Sequence, residues 1–274
     1  MACVIGSDGT TGDDGPGTGS GSQTGSGSGS QTGSGTGTTD TATHITANTS
    51  WTGTFAVTKQ TVIDPGVTVT IPAASTVTLA EGTSVEIKGT LNVMGAKGQE
   101  VNISPTTTGG HSYGFTVSAG GALNMTYGIQ VGGGIETNGG TTTISDSKLS
   151  QAEGDFLVIG AGTVTVSYST IGVEGTTNST HCNMHFGGSG TTVHVTHSNI
   201  ATSSYGLMLY GGNNLDLTYN NWINNTTQID TAPQASGDIS NGWFDKGGTP
   251  KAGAGATLTA NNISTTRLTD AGPR

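Results

Sequence analysis

Residues 215–223 read "LDLTYNNWI": aliphatic side chains at Leu215 and Leu217, then a tyrosine, two asparagines and a closing apolar pair. Alternation at period two marks a strand with one buried face. The same phrase recurs upstream as LNMTYGI from Leu123, TTISDSKL from Thr142, VTVSYSTI from Val164 and VHVTHSNI from Val193. Successive starts lie 19, 22, 29 and 22 residues apart, so a fixed strand is joined by a loop of variable length. Before each copy stands a second short strand ending in glycines: FTVSAGG (115–121), IETNGG (135–140), LVIGAG (157–162), HFGGSG (185–190) and LMLYGG (207–212). Glycine reaches positive φ without a Cβ clash, as a tight corner between strands demands.

Two short strands and a corner in roughly 22 residues cannot enclose a core, but stacked copies can. The expected fold is therefore all-β, a solenoid in which each coil adds its strands in parallel to the coil below. Short alternating strands at VTVTI from Val67, TVTL from Thr76, SVEI from Ser84, TLNV from Thr90 and EVNI from Glu100 extend the pattern towards the N-terminus. An antiparallel sandwich is the competing all-β arrangement, but hairpin-type Asn-Gly pairs are nearly absent from the strand junctions.

Composition agrees. The 274 residues include 48 glycines and only 9% charged residues, so helix formers are scarce while Thr, Ser, Val and Gly abound. A net charge of −10 with eight Lys and Arg excludes a nucleic-acid partner, which needs clustered cations. No apolar run reaches the ~18 residues of a membrane span.

The chain divides into four parts. Residues 1–5 contain Cys3 after Ala2 and ahead of a Gly/Ser/Thr tract; this resembles a bacterial lipoprotein cut at its lipid-bearing cysteine, with Met1 an expression start. Lipidation at Cys3 is the expected membrane attachment, and Val4 rather than Asp after it points by resemblance to the outer membrane or cell surface. Residues 6–39 are almost wholly Gly, Ser, Thr and Gln and are expected to be a disordered linker. Residues 40–250 carry the repeats, and residues 251–274 are expected to form a tail or cap.

Residues 50–105, with DPGVTVTI, EGTSVEIKGTLNVMG and VNISP, resemble the opening of right-handed parallel β-helix proteins of the pectin-lyase-like superfamily. SNGWFDKGGTP at 240–250 resembles the closing segment of such domains. The resemblance implies a right-handed parallel β-helix with aliphatic columns inside and stacked polar columns at a turn. Here that turn column reads Ser147, Ser169, Ser198 and Asn220, beside an Asn199–Asn221 pair. About nine coils at ~4.8 Å give a rod of ~40 Å. Trp51 and Phe55 are expected over the first coil, and residues 222–250, with Trp222, Trp243 and Phe244, over the last.

The superfamily hosts lyases and hydrolases, yet its Asn-Thr-Asp, Gly-His-Gly and Arg-Ile-Lys motifs are absent. Both arginines, Arg267 and Arg274, lie beyond the repeats, and Asp146, Asp155 and Asp216 fall on different coils without a cluster. Thr-x-Thr pairs suggest an ice-binding array, but the outward column Asn124, Thr143, Thr165, His194, Asp216 interrupts it with bulky and charged residues. The one concentration of metal-ligand types is HCNMHFGGSGTTVHVTHSN at 181–199, where His181, His185 and His194 are candidate ligands for a transition metal. Period two puts Cys182 and Met184 opposite His181 and His185, with Cys182 a buried core thiol. His197 takes the column held elsewhere by Tyr127, Asp146, Tyr168 and Tyr219. The functional expectation is a non-enzymatic, lipid-anchored surface module that binds glycan or a surface protein, with oligomers permitted and no cofactor beyond that metal. The alternative is a polysaccharide-active lyase or hydrolase with a non-standard site.

Overall fold

A computed structural model of the chain describes residues 41–178, 180–188, 190–211 and 215–274. Cys3 and the expected linker lie outside the described residues. Residues 42–274 form one compact unit that is a parallel β-solenoid, and among the described residues there is no helix. A full coil supplies one strand to each of three faces; in one coil these are Cys182–Phe186, Thr192–Thr196 and Asn199–Ala201. The third face is a nine-stranded sheet. The first two join into a 17-stranded sheet because in two coils a single 11-residue strand, Ile135–Ser145 or Leu157–Ser167, spans both faces. At that bend Gly162 has φ +97° and its missing Cβ would lie 2.2 Å from Gly140 O, so only glycine fits between the coils there.

Register follows the repeat. Asn124 pairs with Thr143, Thr143 with Thr165, Thr165 with His194 and His194 with Asp216, the outward column expected from the sequence. Inward, Leu149, Ile171, Ile200, Trp222 and Phe244 stack coil on coil along the third face. Gln130 interrupts that column: it pairs with Leu149, is 1% exposed, and turns its amide to Gly133 O at 2.8 Å.

The corner between the second and third faces carries the repeat's signature. Tyr127, Asp146, Tyr168, His197 and Tyr219 all have left-handed φ, between 46° and 58°. That conformation is uncommon for bulky residues. After Asp146, Tyr168 and His197 comes the serine column, Ser147, Ser169 and Ser198, and after Tyr219 comes Asn220, all four fully buried. Ser147 N donates to Ser169 Oγ at 3.1 Å, Ser169 N to Ser198 Oγ at 3.2 Å and Ser198 N to Asn220 Oδ1 at 2.9 Å. Each hydroxyl in turn donates to the carbonyl two residues back, at 2.7–2.9 Å. Asn221 Nδ2 donates to Asn199 Oδ1 at 2.9 Å, as expected of the pair.

Two expectations are corrected. Trp51 and Phe55 stack at 4.6 Å within the first coil itself, whose strand Thr54–Val57 pairs with Thr76–Leu79, so they pack as part of that coil and its core and not as a cover laid over it. Trp222 and Trp243–Phe244 likewise occupy regular coils, because the stack continues: Thr257–Thr259 pairs with Ser236–Asp238, and Ser264 bridges Trp243. Residues 265–274 then run back along the corner as a strap. Arg267 makes a bidentate pair with Glu174 at 2.8 and 2.6 Å, and Leu268 N and O bond the Asn221 amide, each at 2.9 Å. Gly272 N reaches His197 O at 2.9 Å, and Arg274 clasps Asp146 with Nε and Nη2, each at 2.9 Å. The Arg274 guanidinium lies 3.8 Å above the Tyr168 ring, followed by His197 and Tyr219 in one stack. An arginine from the strap thus fills the place that Asp146 leaves in the aromatic column.

Two measurements check this account. Ser169→Ala strands the buried Ser147 N–H and should lower stability by ~1–3 kcal/mol in thermal unfolding, whereas outward Thr165→Ala should change it by less than ~0.5 kcal/mol. The hydrogen bond from Arg274 holds the Asp146 carboxyl below its ordinary range. Its stabilising contribution is therefore complete above the unfolded value of ~3.9 and is lost as pH falls through the lower folded value. Arg274→Ala should have a lower Tm at neutral pH, and the two Tm curves should converge in acid.

Candidate functional site

The corner between the third and first faces has the opposite character. There the connections lengthen, and polar side chains from three successive coils gather outside the core. Asp155 ends one such connection, just before Phe156 enters the core and the strand Leu157–Ser167 begins. His181, Cys182 and His185 stand one coil further on, and Met208 follows in register with His185. His185 Nδ1 lies 2.6 Å and His181 Nδ1 3.4 Å from the two oxygens of Asp155. Cys182 Sγ is 3.2 Å from His181 Nδ1 and 2.9 Å from Met208 Sδ. One donor atom each from Asp155, Cys182 and His185 lies within 4.8 Å of the others.

The Asp155 and His185 side chains are each 6% exposed. Burial pushes the Asp155 carboxyl up, but hydrogen bonds from His185 and Cys182 outweigh it and leave the group below the usual carboxylate range. Next to it, the Tyr210 ring meets His185 edge-on at 5.4 Å, and its hydroxyl donates to Asp230 Oδ2 at 2.8 Å. Burial, then that carboxylate, pushes the Tyr210 phenol up to about 12.

Of the three histidines expected as ligands, His181 and His185 come together and His194 does not. His194 lies on the second face, half exposed, with Nδ1 3.3 Å from Asp216 Oδ2. Met184 points into the core as expected, whereas Cys182 shares the outer cluster with His185. The reason is Asn183, which turns inward at 0% exposure and donates to Ala201 O at 2.8 Å, breaking the period-two alternation. Asp155 was not expected to join any cluster. Nothing in its own stretch marks it, because its partners lie 26 to 30 residues away across a lengthened loop. His197 stacks between Tyr168 and Tyr219, as the column comparison suggested.

Beside the cluster opens a groove of about 730 Å³, with His181 on its lip. Its walls are Thr177, Asn178, Thr180, Ser203, Ser204 and Thr226, from three successive coils. Beneath it the amides interlock: Asn178 Nδ2 donates to Thr202 O at 2.8 Å, and Asn225 Nδ2 to Ile200 O at 3.0 Å. Side-chain amides thus bond the backbone of the floor. Thr202 Oγ1 is buried in the wall without a hydrogen-bond partner among the described residues. Among the described residues the groove lining contains no Lys or Arg and no carboxylate.

Carboxylates do meet elsewhere. Asp216 and Asp238 are in-register neighbours on the second face. Each holds its own turn, Asp216 accepting from Thr218 N and Oγ1 at 3.2 and 2.7 Å and Asp238 from Ser240 N at 2.9 Å. That pairing gives them a structural task. Compared with known proteins, the chain matches no family model, no curated protein and no solved structure.

The site's packing has a direct test. In a Cys3→Ser background Cys182 is the chain's one thiol and is 0% exposed. It should resist a thiol reagent in the native protein and react fully in denaturant, while His185→Ala should speed the native reaction at least tenfold.

Proposed function

We propose that this protein is a non-enzymatic, surface-displayed binding module whose groove at the third-to-first corner holds a neutral glycan chain. The groove carries this reading: hydroxyl and amide groups recur coil by coil at ~4.8 Å, a spacing suited to contacting successive sugars along one chain. The exposed side-chain hydroxyls of Thr177, Ser204 and Thr226 on its walls favour a polar ligand that exchanges hydrogen bonds with them. A net charge of −10 and a lining without cations disfavour polyanions. Cys3 supplies the lipid anchor and residues 6–39 the tether, which places the module at the bacterial outer membrane or cell surface. The likeness of residues 50–105 to pectin-lyase-like β-helices fits a glycan ligand, and the missing catalytic motifs fit binding without cleavage.

The test is size-exclusion chromatography with light scattering of the full chain mixed with neutral and acidic bacterial polysaccharides. Co-elution with a neutral polymer of unchanged mass, abolished by Ser204→Trp, is expected. A fall in polymer mass would establish the alternative, a polysaccharide-active enzyme. No co-elution with any polymer would overturn glycan binding and leave a protein partner as the ligand class to pursue.

A further inference from the structure

We propose that Asp155, His181, Cys182 and His185 bind one zinc-type divalent ion, with the Met208 thioether packed against the thiol. The donor set is carboxylate, two imidazoles and a thiol, which suits zinc and not magnesium or calcium. The geometry is close to what the ion needs. A tetrahedron with bonds of ~2.0–2.3 Å has edges of ~3.3–3.8 Å. Cys182 Sγ to His181 Nδ1 is 3.2 Å and His181 Nδ1 to Asp155 Oδ1 is 3.4 Å. The donors of Asp155, Cys182 and His185 lie within 4.8 Å of one another, and among those contacts His185 Nδ1 to Asp155 Oδ2 at 2.6 Å is a hydrogen bond that must open by about an ångström.

Charge and hydrogen bonding point the same way. Asp155 is a buried carboxylate whose ion-pair partners among the described residues are only the two histidines, with no Lys or Arg. Isolated buried charge is costly. Coordination breaks the Cys182 S–H bond, forms a sulfur–metal bond and releases the proton to solvent; thiolate and carboxylate together then balance the charge of a divalent ion. His185 Nε2 is buried without a hydrogen-bond partner among the described residues, so the ring finds its polar contacts on the cluster side alone. The donors also come from adjacent coils: Asp155 precedes the strand Leu157–Ser167, and His185 stands on the strand that pairs with it. An ion there would tie the two coils together at the edge of the groove, since His181 belongs to both.

The experiment uses tag-free, metal-stripped full chain in the Cys3→Ser background, titrated with zinc by calorimetry and analysed for bound metal after dialysis. One equivalent of zinc and a raised Tm are expected. Cys182→Ser and Asp155→Asn should each weaken binding at least tenfold, and His194→Ala should leave it unchanged. Cobalt(II) loaded in place of zinc should give a thiolate-to-cobalt charge-transfer band, a readout that needs no variant. No stoichiometric zinc, or cobalt bound without that band, would overturn the site; so would binding that survives Cys182→Ser but is lost in His194→Ala.

Discussion

At the corner between the second and third faces, the backbone N–H after each left-handed residue points into the solenoid, where no strand partner reaches it. A side chain from the next coil accepts it, and the rest of the stack depends on that link. Ser147 bonds to Ser169, Ser169 to Ser198 and Ser198 to Asn220, so each coil completes the hydrogen bonding of the one before. The position must therefore be small, must accept from a neighbour and must donate its own proton to a nearby carbonyl. Serine does both within one turn. Asn220 does it with two N–H groups, reaching Val195 O at 2.6 Å and Leu217 O at 2.8 Å.

The same constraint explains the outer surface of that corner. A left-handed residue before the buried serine directs its side chain outward, and in a parallel stack all such side chains meet at the coil spacing. Tyr168, His197 and Tyr219 then lie at ring separations of 5.0 and 4.8 Å. Stacking offsets some of the backbone cost of placing tyrosine in that region. Asp146 has no ring to contribute, and the strap's Arg274 supplies a flat cation over Tyr168 in its stead.

What could be read from the sequence was what the repeat carries. Strand positions, the outward column through His194 and Asp216, the serine column and the Asn199–Asn221 pair all follow from aligning copies of one phrase, because register in a parallel stack is copy on copy. What breaks the repeat could not be read. Asn183 turns inward within a strand and sets the Cys182 thiol, still fully buried, beside His185 and Met208, which alternation alone does not foresee. Gln130 sits in an apolar column because it can bond Gly133 O nearby, a tertiary detail. Arg267 and Arg274 lie outside every copy, and their partners Glu174 and Asp146 are 93 and 128 residues away. The strand Thr257–Thr259 lacks the phrase, so its pairing with Ser236–Asp238 could not be read from the copies.

The two ends of the third face thus divide the work between stability and surface chemistry. The corner closed by the serine column allows no insertion in the coils that carry it, since an extra residue would shift the hydroxyl off the N–H it must accept. The opposite corner has no such column, so its connections can lengthen, and the longest interval between copies, 29 residues, contains the loop from 173 to 181. Lengthened loops on adjacent coils create concavity, and the amides of Asn178, Asn183 and Asn225 satisfy the backbone that the loops expose. Polar groups that the strands do not require then accumulate there: hydroxyls along the groove, and Asp155 with two histidines and a thiol at its edge. In a solenoid of this kind, polar side chains from several coils can cluster where the repeat is least obeyed, because there the connections are free to change length.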